Sequence, residues 1–373
     1  MLATLDRKQF TPRVLLAQDG PAREYYQSLN VKVDVIPSKS FGTFPGPKPY
    51  TVSWLLNWRA FTPNPHLSSY LKSTHWDLLH INDKAFISAG LEGRNLHKPI
   101  LWHLRSSYYP TSSRLNAKAS CRTIRIIADK AIAISEDEID GFEDFEPKEI
   151  IYNSVDMNEI DRAIASRDVT RRDLGLKDGD ILVGQVSTTI GEVRGTWDFL
   201  HACGSIYRSL SHPGLKFINV AAIPDRVNYA SGVIHPIDQA WQIAREENID
   251  DRITFTGYRS DALNLMAAMD VVVVCNRHGV LGRMPFEAMA CGRPLVVTAG
   301  HSGKSKVVID RETALVVHPK DPDSIAAAVC ELVNDANLRQ TLATYGYEYA
   351  REHFDPVKNT TLIENIYRNM LGE

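Results

Sequence analysis

The chain has 373 residues, of which 44% are hydrophobic and 23% charged, so a globular protein with two domains is expected. No apolar run approaches the roughly 20 residues of a membrane span and no signal-peptide pattern is visible, which predicts a cytoplasmic protein. The five cysteines are odd in number and lack C-x-x-C spacing, which argues against a disulfide framework and a structural zinc site, and the net charge is only −3.

Apolar strands alternate with helical stretches along most of the chain, a pattern that predicts an α/β protein with mostly parallel sheets. The first part contains predicted strands at residues 13–17, 31–36, 78–81, 100–103, 131–134 and 150–152. A polar, charged segment at 157–180 then marks a domain boundary, which we place after residue 165. The alternation restarts with predicted strands at residues 181–186, 216–220, 253–255, 271–275, 295–298 and 315–317, and helical stretches close the chain.

The stretch from Val271 to Thr298 predicts an anion-binding site. It reads as a buried strand, a loop with Gly279 and Gly282, a short helix beginning at Pro285, and a second strand. The free N–H groups at the start of such a helix face the carboxyl edge of a parallel sheet, where anions bind. The chain lacks the G-x-G-x-x-G fingerprint and the G-x-x-x-x-G-K-[ST] phosphate loop, so hydride transfer and P-loop chemistry have little support.

Several motifs together resemble one enzyme family. The C-terminal ones are Phe255 to Asp261, the strand ending at Cys275, Gly282-Arg283, Glu287 to Val296, and Thr313 to Pro319. The N-terminal ones are His80-Ile81-Asn82, Trp102 to Arg105, Ile134-Ser135 and Tyr152 to Asp156. In this order and spacing they resemble the retaining GT-B glycosyltransferases of the large nucleotide-sugar-dependent family 4, the glycosyl transferases group 1. The resemblance spans nearly the whole chain, and its E-A-M-A-C-G-x-P block is a specific signal.

The resemblance implies two Rossmann-like domains that face each other across a cleft. Residues 1–165 would bind the acceptor, and residues 166–355 would bind a nucleotide-diphosphate sugar. A C-terminal helix at 356–373 would pack back on the first domain. The implied activity is the transfer of a sugar, above all a hexose, with retention of the anomeric configuration. The acceptor would be a hydroxyl group of a glycan, of a lipid-linked molecule or of a small molecule. Neither a metal nor another cofactor is expected.

The resemblance also implies donor-binding residues in the second domain. Glu287 would accept hydrogen bonds from the ribose hydroxyls, or would only stabilise the start of its helix. Gly282 has no Cβ and would let the diphosphate approach the backbone N–H groups closely. The remaining residues of the implied donor site are Gln185, Gly257, Tyr258, Val280 and Leu281.

Breaking the glycosyl–phosphate bond leaves negative charge on the diphosphate, and without a metal the protein must supply cations and donors. Arg194 precedes Gly195 where the family usually has Lys-Gly, so it is the first candidate for catalysis, and Arg283 is the second. Either is alternatively a solvated surface arginine. His103 occupies the position of a family histidine close to the transferred sugar, although a histidine at a strand end is often structural. The implied acceptor-binding residues are Gly20, Asn82 and Arg105.

The chain departs from the family at several polar positions. Gly279 stands in place of the first glutamate of the E-x7-E pair, Gln185 in place of an arginine, and Lys306 in place of a glutamate. An unusual donor, an unusual acceptor or lost catalysis would each account for these changes. Two alternatives to a transferase therefore stay open: a nucleotide-sugar epimerase or phosphorylase, and a catalytically impaired nucleotide-binding partner subunit.

The first part of the chain is basic. Residues 1–130 contain 18 Lys and Arg against 8 Asp and Glu, whereas the remaining residues contain 24 against 37. A helix in this part has a basic side chain at every third or fourth position: Arg114, Lys118, Arg122 and Arg125. This face would dock at the inner face of an anionic membrane, or it is an ordinary solvated face. No nucleic-acid partner is expected, since no recognition motif accompanies the charge.

Overall fold

The computed structural model describes residues 1–37, 64–84, 86–106, 114–139, 141–146, 148–226, 233–277, 282–299 and 305–373, without the side chains of residues 114–117. Within these ranges the chain divides into two compact units, Met1–Tyr152 with Pro356–Glu373, and Asn153–Asp355. The boundary expected after residue 165 falls inside the second unit, because the helix Met157–Ala165 packs on helices of that unit. No helix of the described ranges has the length and apolarity that crossing a membrane requires.

The first unit contains two parallel sheets. Strand β1 (Arg13–Leu16) pairs with β2 (Lys32–Val35). The second sheet has the order β3-β4-β5-β6, and its strands are Leu79–Asn82, Ile100–Leu104, Lys130–Ala133 and Lys148–Ile150. Every residue of β4 is buried, as expected for a strand covered on both faces. In the β3–β4 register Asn82 lies opposite His103, which brings two candidate residues to the same end of the sheet.

The last of these strands lies earlier than predicted. A strand was predicted at residues 150–152, but β6 ends at Ile150. The backbone of Tyr152 has a different partner, because its carbonyl accepts a hydrogen bond from Nδ2 of Asn359 at 3.0 Å. The chain then turns into the next helix, which Asp156 caps by accepting hydrogen bonds from the backbone N–H groups of its first turn.

In the described part of this unit, the helices that precede or connect these strands are α1 (Pro21–Ser28), α2 (Pro65–Ser73), α3 (Ile87–Asn95) and α4 (Arg114–Ile127). Helix α4 contains the predicted basic positions. On one side Ile124 and Ile127 are buried in a core with Trp102, whereas on the other side Lys118 and Arg122 are exposed. The helical period therefore separates a buried face from a solvent-facing basic one.

The second unit is built on a six-stranded parallel sheet of order β12-β11-β10-β7-β8-β9. Its strands are β7 (Ile181–Thr189), β8 (Leu215–Ala222), β9 (Ile253–Phe255), β10 (Val271–Val274), β11 (Leu295–Thr298) and β12 (Leu315–Val317). The four valines of β10 are buried between β7 and β11, as their β-branched run predicts. All six carboxyl ends lie along one edge because every pairing is parallel.

The helices of this unit are α5 (Met157–Ala165), α6 (Arg167–Asp173), α7 (Thr196–Leu210), α8 (Pro236–Glu246), α9 (Ala262–Ala268), α10 (Met284–Ala290), α11 (Pro322–Asn334) and α12 (Ala336–His353). A 3₁₀ turn, Glu192–Arg194, joins β7 to α7. Arg167 and Arg171 both pair with Asp270 and both donate to the carbonyl of Ala268. The last carbonyls of a helix lack internal partners, so these donors stabilise the end of α9.

The C-terminal helix α13 (Pro356–Leu371) belongs to the first unit. Ile363 and Ile366 are buried in one cluster with Leu101 of the four-stranded sheet. The backbone N–H of Asp6 donates to Oε1 of Glu364 at 2.7 Å, which fastens the N-terminal segment to the same helix. Both ends of the described chain thus contribute to the core of the first unit.

Candidate functional site

The carboxyl edge of the six-stranded sheet collects the candidate residues of the second unit. The turn Arg194-Gly195 follows β7, Gly257-Tyr258 follows β9, and the segment from Gly282 to Glu287 follows β10. The other loop candidates, Val280 and Leu281, lie outside the described residues, as does Gly279. The described candidates thus share one edge of one sheet, which is where ligands bind in parallel α/β folds.

The turn after β7 packs directly on the end of β10. Gly195 has φ of 69°, and a Cβ built there would lie 1.7 Å from the carbonyl oxygen of Cys275, so a side chain is excluded. Sγ of Cys275 donates to the carbonyl of Gly195 at 3.2 Å. This close approach explains why a glycine follows Arg194. It also fixes the position of the Arg194 backbone at the edge of the sheet.

The buried side chain of Gln185 in β7 stabilises the same turn. Its Nε2 donates to the carbonyl of Arg194 at 2.9 Å, and its Oε1 accepts from Nδ2 of Asn219 at 2.7 Å. Gln185 and Asn219 are each 1% exposed. Since the amide of Gln185 is bonded at both ends to protein, we expect its part in donor binding to be indirect, through the position of Arg194, rather than the direct contact implied by the motif.

Arg277 stabilises the 3₁₀ turn, and no sequence motif pointed to this residue. Its guanidinium binds the carboxylate of Asp198 through two hydrogen bonds of 2.7 and 2.8 Å and also pairs with Glu192. Its backbone N–H donates to the carbonyl of Val193 at 3.3 Å. By contrast, the half-buried side chain of Arg194 makes no hydrogen bond or ion pair with any described residue. Two carboxylates therefore pair with Arg277, whereas no described carboxylate pairs with the guanidinium of Arg194.

Glu287 and Arg283, which the motif assigned to separate tasks, are paired with each other. Nη2 of Arg283 lies 2.6 Å from Oε1 of Glu287, one helical turn away. Glu287 is 7% exposed, whereas the side chain of Arg283 is 61% exposed. Burial raises the pKa of Glu287, and the charge of Arg283 acts against that increase. In the ligand-free chain Arg283 therefore favours the ionised form of a buried carboxylate.

Tyr258 is the most exposed aromatic candidate of this edge, with 79% of its surface accessible. It follows Gly257, whose φ of 71° is in the left-handed region that favours glycine. A Cβ built on Gly257 would lie 3.8 Å from Cδ1 of Ile223, which is itself 37% exposed after β8. An aromatic and an aliphatic side chain therefore leave apolar surface open at the ends of β8 and β9.

Three candidates of the first unit, Asn82, His103 and Arg105, meet at the carboxyl end of its four-stranded sheet. Nη1 of Arg105 donates to Oδ1 of Asn82 at 3.4 Å, and His103 lies opposite Asn82 in the register. His103 is 6% exposed, and its Nδ1 lies 3.2 Å from Nε2 of His80. Burial, reinforced by His80 and Arg105, lowers the pKa of His103 well below its ordinary value. Gly20 is exposed before α1, beside the two-stranded sheet.

His80 belongs to the His80-Ile81-Asn82 motif, but its contact with His103 is not predicted by that motif. A signal was present, because His80 and Asn82 are two positions apart and therefore point to the same face of β3. Among the described residues, no group of three or more His, Cys, Asp and Glu side chains is arranged to hold a metal ion.

Comparison with known proteins finds a family similarity in part of the second unit. Residues 238–349 match the family model described as Glycosyl transferases group 1. Over this segment the chain is similar to that family. The matched segment contains Tyr258, Arg283 and Glu287, and lies within the second unit.

Curated relatives match about a third of the chain in most cases. The chain is 32% identical over 117 residues to the lipopolysaccharide core biosynthesis glycosyltransferase LpsD of Rhizobium meliloti, which is 31% of this chain and 34% of LpsD. The match thus spans about a third of that relative's length. A longer match, 22% identical, joins 80% of the chain to 77% of the uncharacterized glycosyltransferase MJ1607 of Methanocaldococcus jannaschii.

Solved structures share the fold over almost the entire chain. Anabaena Alr3699/HepE in complex with UDP has a TM-score of 0.77 at 20% identity, covering 99% of this chain and 94% of that one. Sucrose-phosphate synthase of Thermosynechococcus elongatus has a TM-score of 0.69 at 18% identity, covering 97% and 100%. At such identities the likeness shows the fold alone, and it confirms the predicted GT-B class.

Proposed function

We propose that this protein transfers a hexose from a nucleoside-diphosphate sugar to a hydroxyl acceptor, retains the anomeric configuration, and uses neither a metal nor another cofactor. The proposal depends mainly on Arg194. Its guanidinium has no partner among the described residues, and it belongs to a turn at the carboxyl edge of the sheet that hydrogen bonds hold in place. A cation that is held in place but not neutralised is suited to phosphate oxygens. The family match in the same unit supports a nucleotide sugar as the ligand.

The nucleotide would bind along this edge of the second unit. Tyr258 offers an exposed aromatic face to the base, and Glu287 offers a carboxylate to the ribose hydroxyls. Arg194 and the backbone N–H groups near Gly282 would bind the diphosphate. The pair with Arg283 would keep Glu287 ionised, the form that accepts hydrogen bonds from both hydroxyls. Anabaena Alr3699/HepE has been seen with UDP and with UDP-glucose, which supports a ligand of this class.

The first unit would bind the acceptor. Asn82 and His103 suit sugar hydroxyls, and the charge of Arg105 suits a phosphate or carboxylate on the acceptor. The exposed backbone at Gly20 would contribute to the same task. The relative LpsD is named for lipopolysaccharide core biosynthesis, and a glycan or lipid-linked acceptor for this chain agrees with that name.

The reaction would be a substitution at the anomeric carbon. The acceptor hydroxyl forms the new bond on the face from which the diphosphate departs, and the bond between the anomeric carbon and the phosphate oxygen breaks. The hydroxyl proton passes to a phosphate oxygen of the donor. Negative charge then grows on the diphosphate, where Arg194 would stabilise it most strongly in the transition state.

We further propose that the exposed face of α4 contacts an anionic membrane surface. Lys118 and Arg122 are exposed on it, and beside them Ile126 is 65% exposed, a combination of cationic and apolar side chains that suits the interfacial region. Lys118→Glu with Arg122→Glu should abolish sedimentation with phosphatidylglycerol vesicles at low salt. The matched control reverses two exposed charges of the second unit, Arg172→Glu with Lys177→Glu, and should bind as wild type. Equal binding by both variants would refute this surface.

The transferase proposal is tested by incubating the protein with UDP-, GDP-, ADP- and dTDP-hexoses, with and without hydroxyl acceptors, in the presence of EDTA. We expect acceptor-dependent release of one nucleoside diphosphate and a product whose anomeric proton shows retained configuration. Product formed from the donor alone would instead indicate an epimerase, and release that requires inorganic phosphate would indicate a phosphorylase. Tight nucleotide binding with no turnover for any acceptor would indicate a catalytically impaired partner subunit.

A further inference from the structure

Three rings of the first unit form a hydrogen-bonded series that the proposed reaction leaves unexplained. The hydroxyl of Tyr367 lies 2.5 Å from Nδ1 of His80, and Nε2 of His80 lies 3.2 Å from Nδ1 of His103. Tyr367 and His103 are 8% and 6% exposed. Nε2 of His103 is buried and has no hydrogen-bond partner among the described residues. The series therefore begins at a C-terminal tyrosine and ends on one unsatisfied buried atom.

Each link of the series contains one hydrogen, so the series has two possible directions. If the hydroxyl of Tyr367 donates to His80, the neutral ring of His80 carries its hydrogen on Nε2 and donates it to Nδ1 of His103. The neutral ring of His103 then carries its own hydrogen on Nε2. In the opposite direction His103 carries its hydrogen on Nδ1, and Nε2 is a bare acceptor. The direction therefore decides whether His103 offers a donor or an acceptor to a ligand.

Both imidazoles are neutral near pH 7. Burial lowers the pKa of His80 to about 4, with a further contribution from the charge of Arg105. Burial lowers the pKa of His103 as well, and His80, Arg105 and the N-terminal amine add to the effect. The two directions described above are therefore the states that compete.

The hydroxyl of Tyr367 determines which of the two hydrogen-bond directions is favoured. Burial raises the pKa of Tyr367, so its hydroxyl keeps the proton. Among the described residues, two acceptors lie within reach of that proton: Nδ1 of His80 at 2.5 Å and the thioether sulfur of Met1 at 3.7 Å. A thioether is a weak acceptor, whereas a short O–H···N bond to an imidazole is a good one. The direction from Tyr367 towards His103 is favoured.

We propose that Tyr367 is a positioning residue that, through His80, holds His103 in the tautomer with its hydrogen on Nε2, and so makes His103 a hydrogen-bond donor to a ligand oxygen. A buried N–H without a partner is unfavourable in the free protein, so an oxygen placed there gains more than the ordinary net value of a hydrogen bond. The identification of this oxygen with a sugar hydroxyl rests on the proposed function. The tautomer of His103 is inferred from the hydrogen bonds alone and does not depend on that function.

The tautomer is measurable in the ligand-free protein with ¹⁵N-labelled histidine, because a protonated and a bare ring nitrogen differ widely in ¹⁵N chemical shift. The signals of His103 are assigned by their loss in His103→Gln. We expect at least about a tenfold excess of the Nε2–H form in the wild type, as one hydrogen bond of ordinary strength would give. A wild-type His103 with its hydrogen mainly on Nδ1 would overturn the proposal without any variant being needed.

Tyr367→Phe removes the hydroxyl and keeps the ring in its core, so the Nδ1–H form of His103 should rise until the two forms are comparable. The control Tyr70→Phe removes a tyrosine hydroxyl that donates to Asp34 in the same unit, and it should leave His103 unchanged. Unchanged His103 signals in a folded Tyr367→Phe protein would also overturn the proposal. Titration with UDP and UDP-glucose tests the proposed function separately, because absence of binding would count against that function. The ¹⁵N signals of His103 decide the proposed tautomer whether or not a nucleotide binds.

Discussion

Nε2 of Gln185 donates a hydrogen bond to the main-chain carbonyl of Arg194 at 2.9 Å. The side chain of Gln185 is 1% exposed within the sheet, whereas the side chain of Arg194 is half-buried. Because Asn219 binds the opposite end of the same amide at 2.7 Å, the turn is held by a pair of buried side chains. The position of the candidate cation thus depends on two side chains buried inside the sheet.

Gln185→Leu keeps roughly the same volume and removes this support. It leaves the amide of Asn219 and the carbonyl of Arg194 without a buried partner, so we expect the second unit to lose roughly 2 to 4 kcal/mol of unfolding free energy. Hydrogen exchange of the β7 and β8 amides measures the loss. The control Gln242→Leu changes an exposed glutamine of α8 and should alter protection little. Equal protection in both variants would show that the buried amide does not hold the turn.

Arg194→Ala should lower kcat by on the order of a hundredfold, as removal of a donor to the leaving charge does in other enzymes. The free energy of unfolding should change little, because the guanidinium binds no described residue. Steady-state kinetics and urea denaturation together check both statements. Arg194→Lys keeps a charge and should recover part of the rate. Turnover near the wild-type value in Arg194→Ala would remove this residue from the mechanism.

Glu287→Gln tests the ribose contact. The carboxylate accepts strong hydrogen bonds from two hydroxyls, whereas an amide oxygen accepts weaker ones, so affinity for the matching ribonucleoside diphosphate should fall roughly tenfold or more. Affinity for its 2′-deoxy analogue should fall less, because one of the two hydroxyls is already absent. Calorimetric titration of both ligands gives the comparison. An equal loss for both would indicate that Glu287 only stabilises the start of α10.

Glu138 should make the stability of the first unit depend on pH. It is 2% exposed, and burial raises its pKa to about 7, while a hydrogen bond from Ser135 acts in the opposite direction. In the unfolded chain the group titrates near its ordinary value of 4.5. As the pH rises from about 4.5 to about 7, the unfolded state releases a proton that the folded state retains, so stability falls by roughly 3 kcal/mol over this window.

Glu138→Gln should remove that fall, since a neutral amide has no proton to lose. Hydrogen exchange of the β4 and β5 amides between pH 4.5 and 8 reads the stability of the first unit alone, after correction for the intrinsic exchange rate. The exposed Glu24→Gln serves as control and should keep the wild-type dependence. The same pH dependence in Glu138→Gln and in the wild type would contradict the assignment.

Much of the fold follows from the sequence because its signals are local. The buried valines of β10, the helix beginning near Pro285 and the alternation of strands and helices depend on residues within a few positions of one another. The location of the candidate site followed from the same alternation, because parallel strands place their carboxyl ends along one edge of the sheet. The early end of β6 was missed, since the bond that diverts Tyr152 comes from Asn359, far away in the chain.

The supporting contacts of the site were not predictable for the same reason. Arg277 and Asp198 are 79 positions apart, and nothing in either neighbourhood identifies the partner of a charge. His80 and Tyr367 are separated by 287 positions. The hydrogen bond between Gln185 and Asn219 joins positions 34 apart and was missed in the same way, while a part for Gln185 in donor binding stays a prediction.

The central claim is that the carboxyl edge of the second unit binds a nucleoside diphosphate through Arg194. The most direct measurement is calorimetric titration of wild type and Arg194→Ala with UDP, GDP, ADP and dTDP. We expect one of these ligands to bind the wild type in the micromolar range or tighter and to bind Arg194→Ala at least about tenfold more weakly, a loss of roughly 1.4 kcal/mol. Binding of none of the four, or equal binding by both proteins, would contradict it.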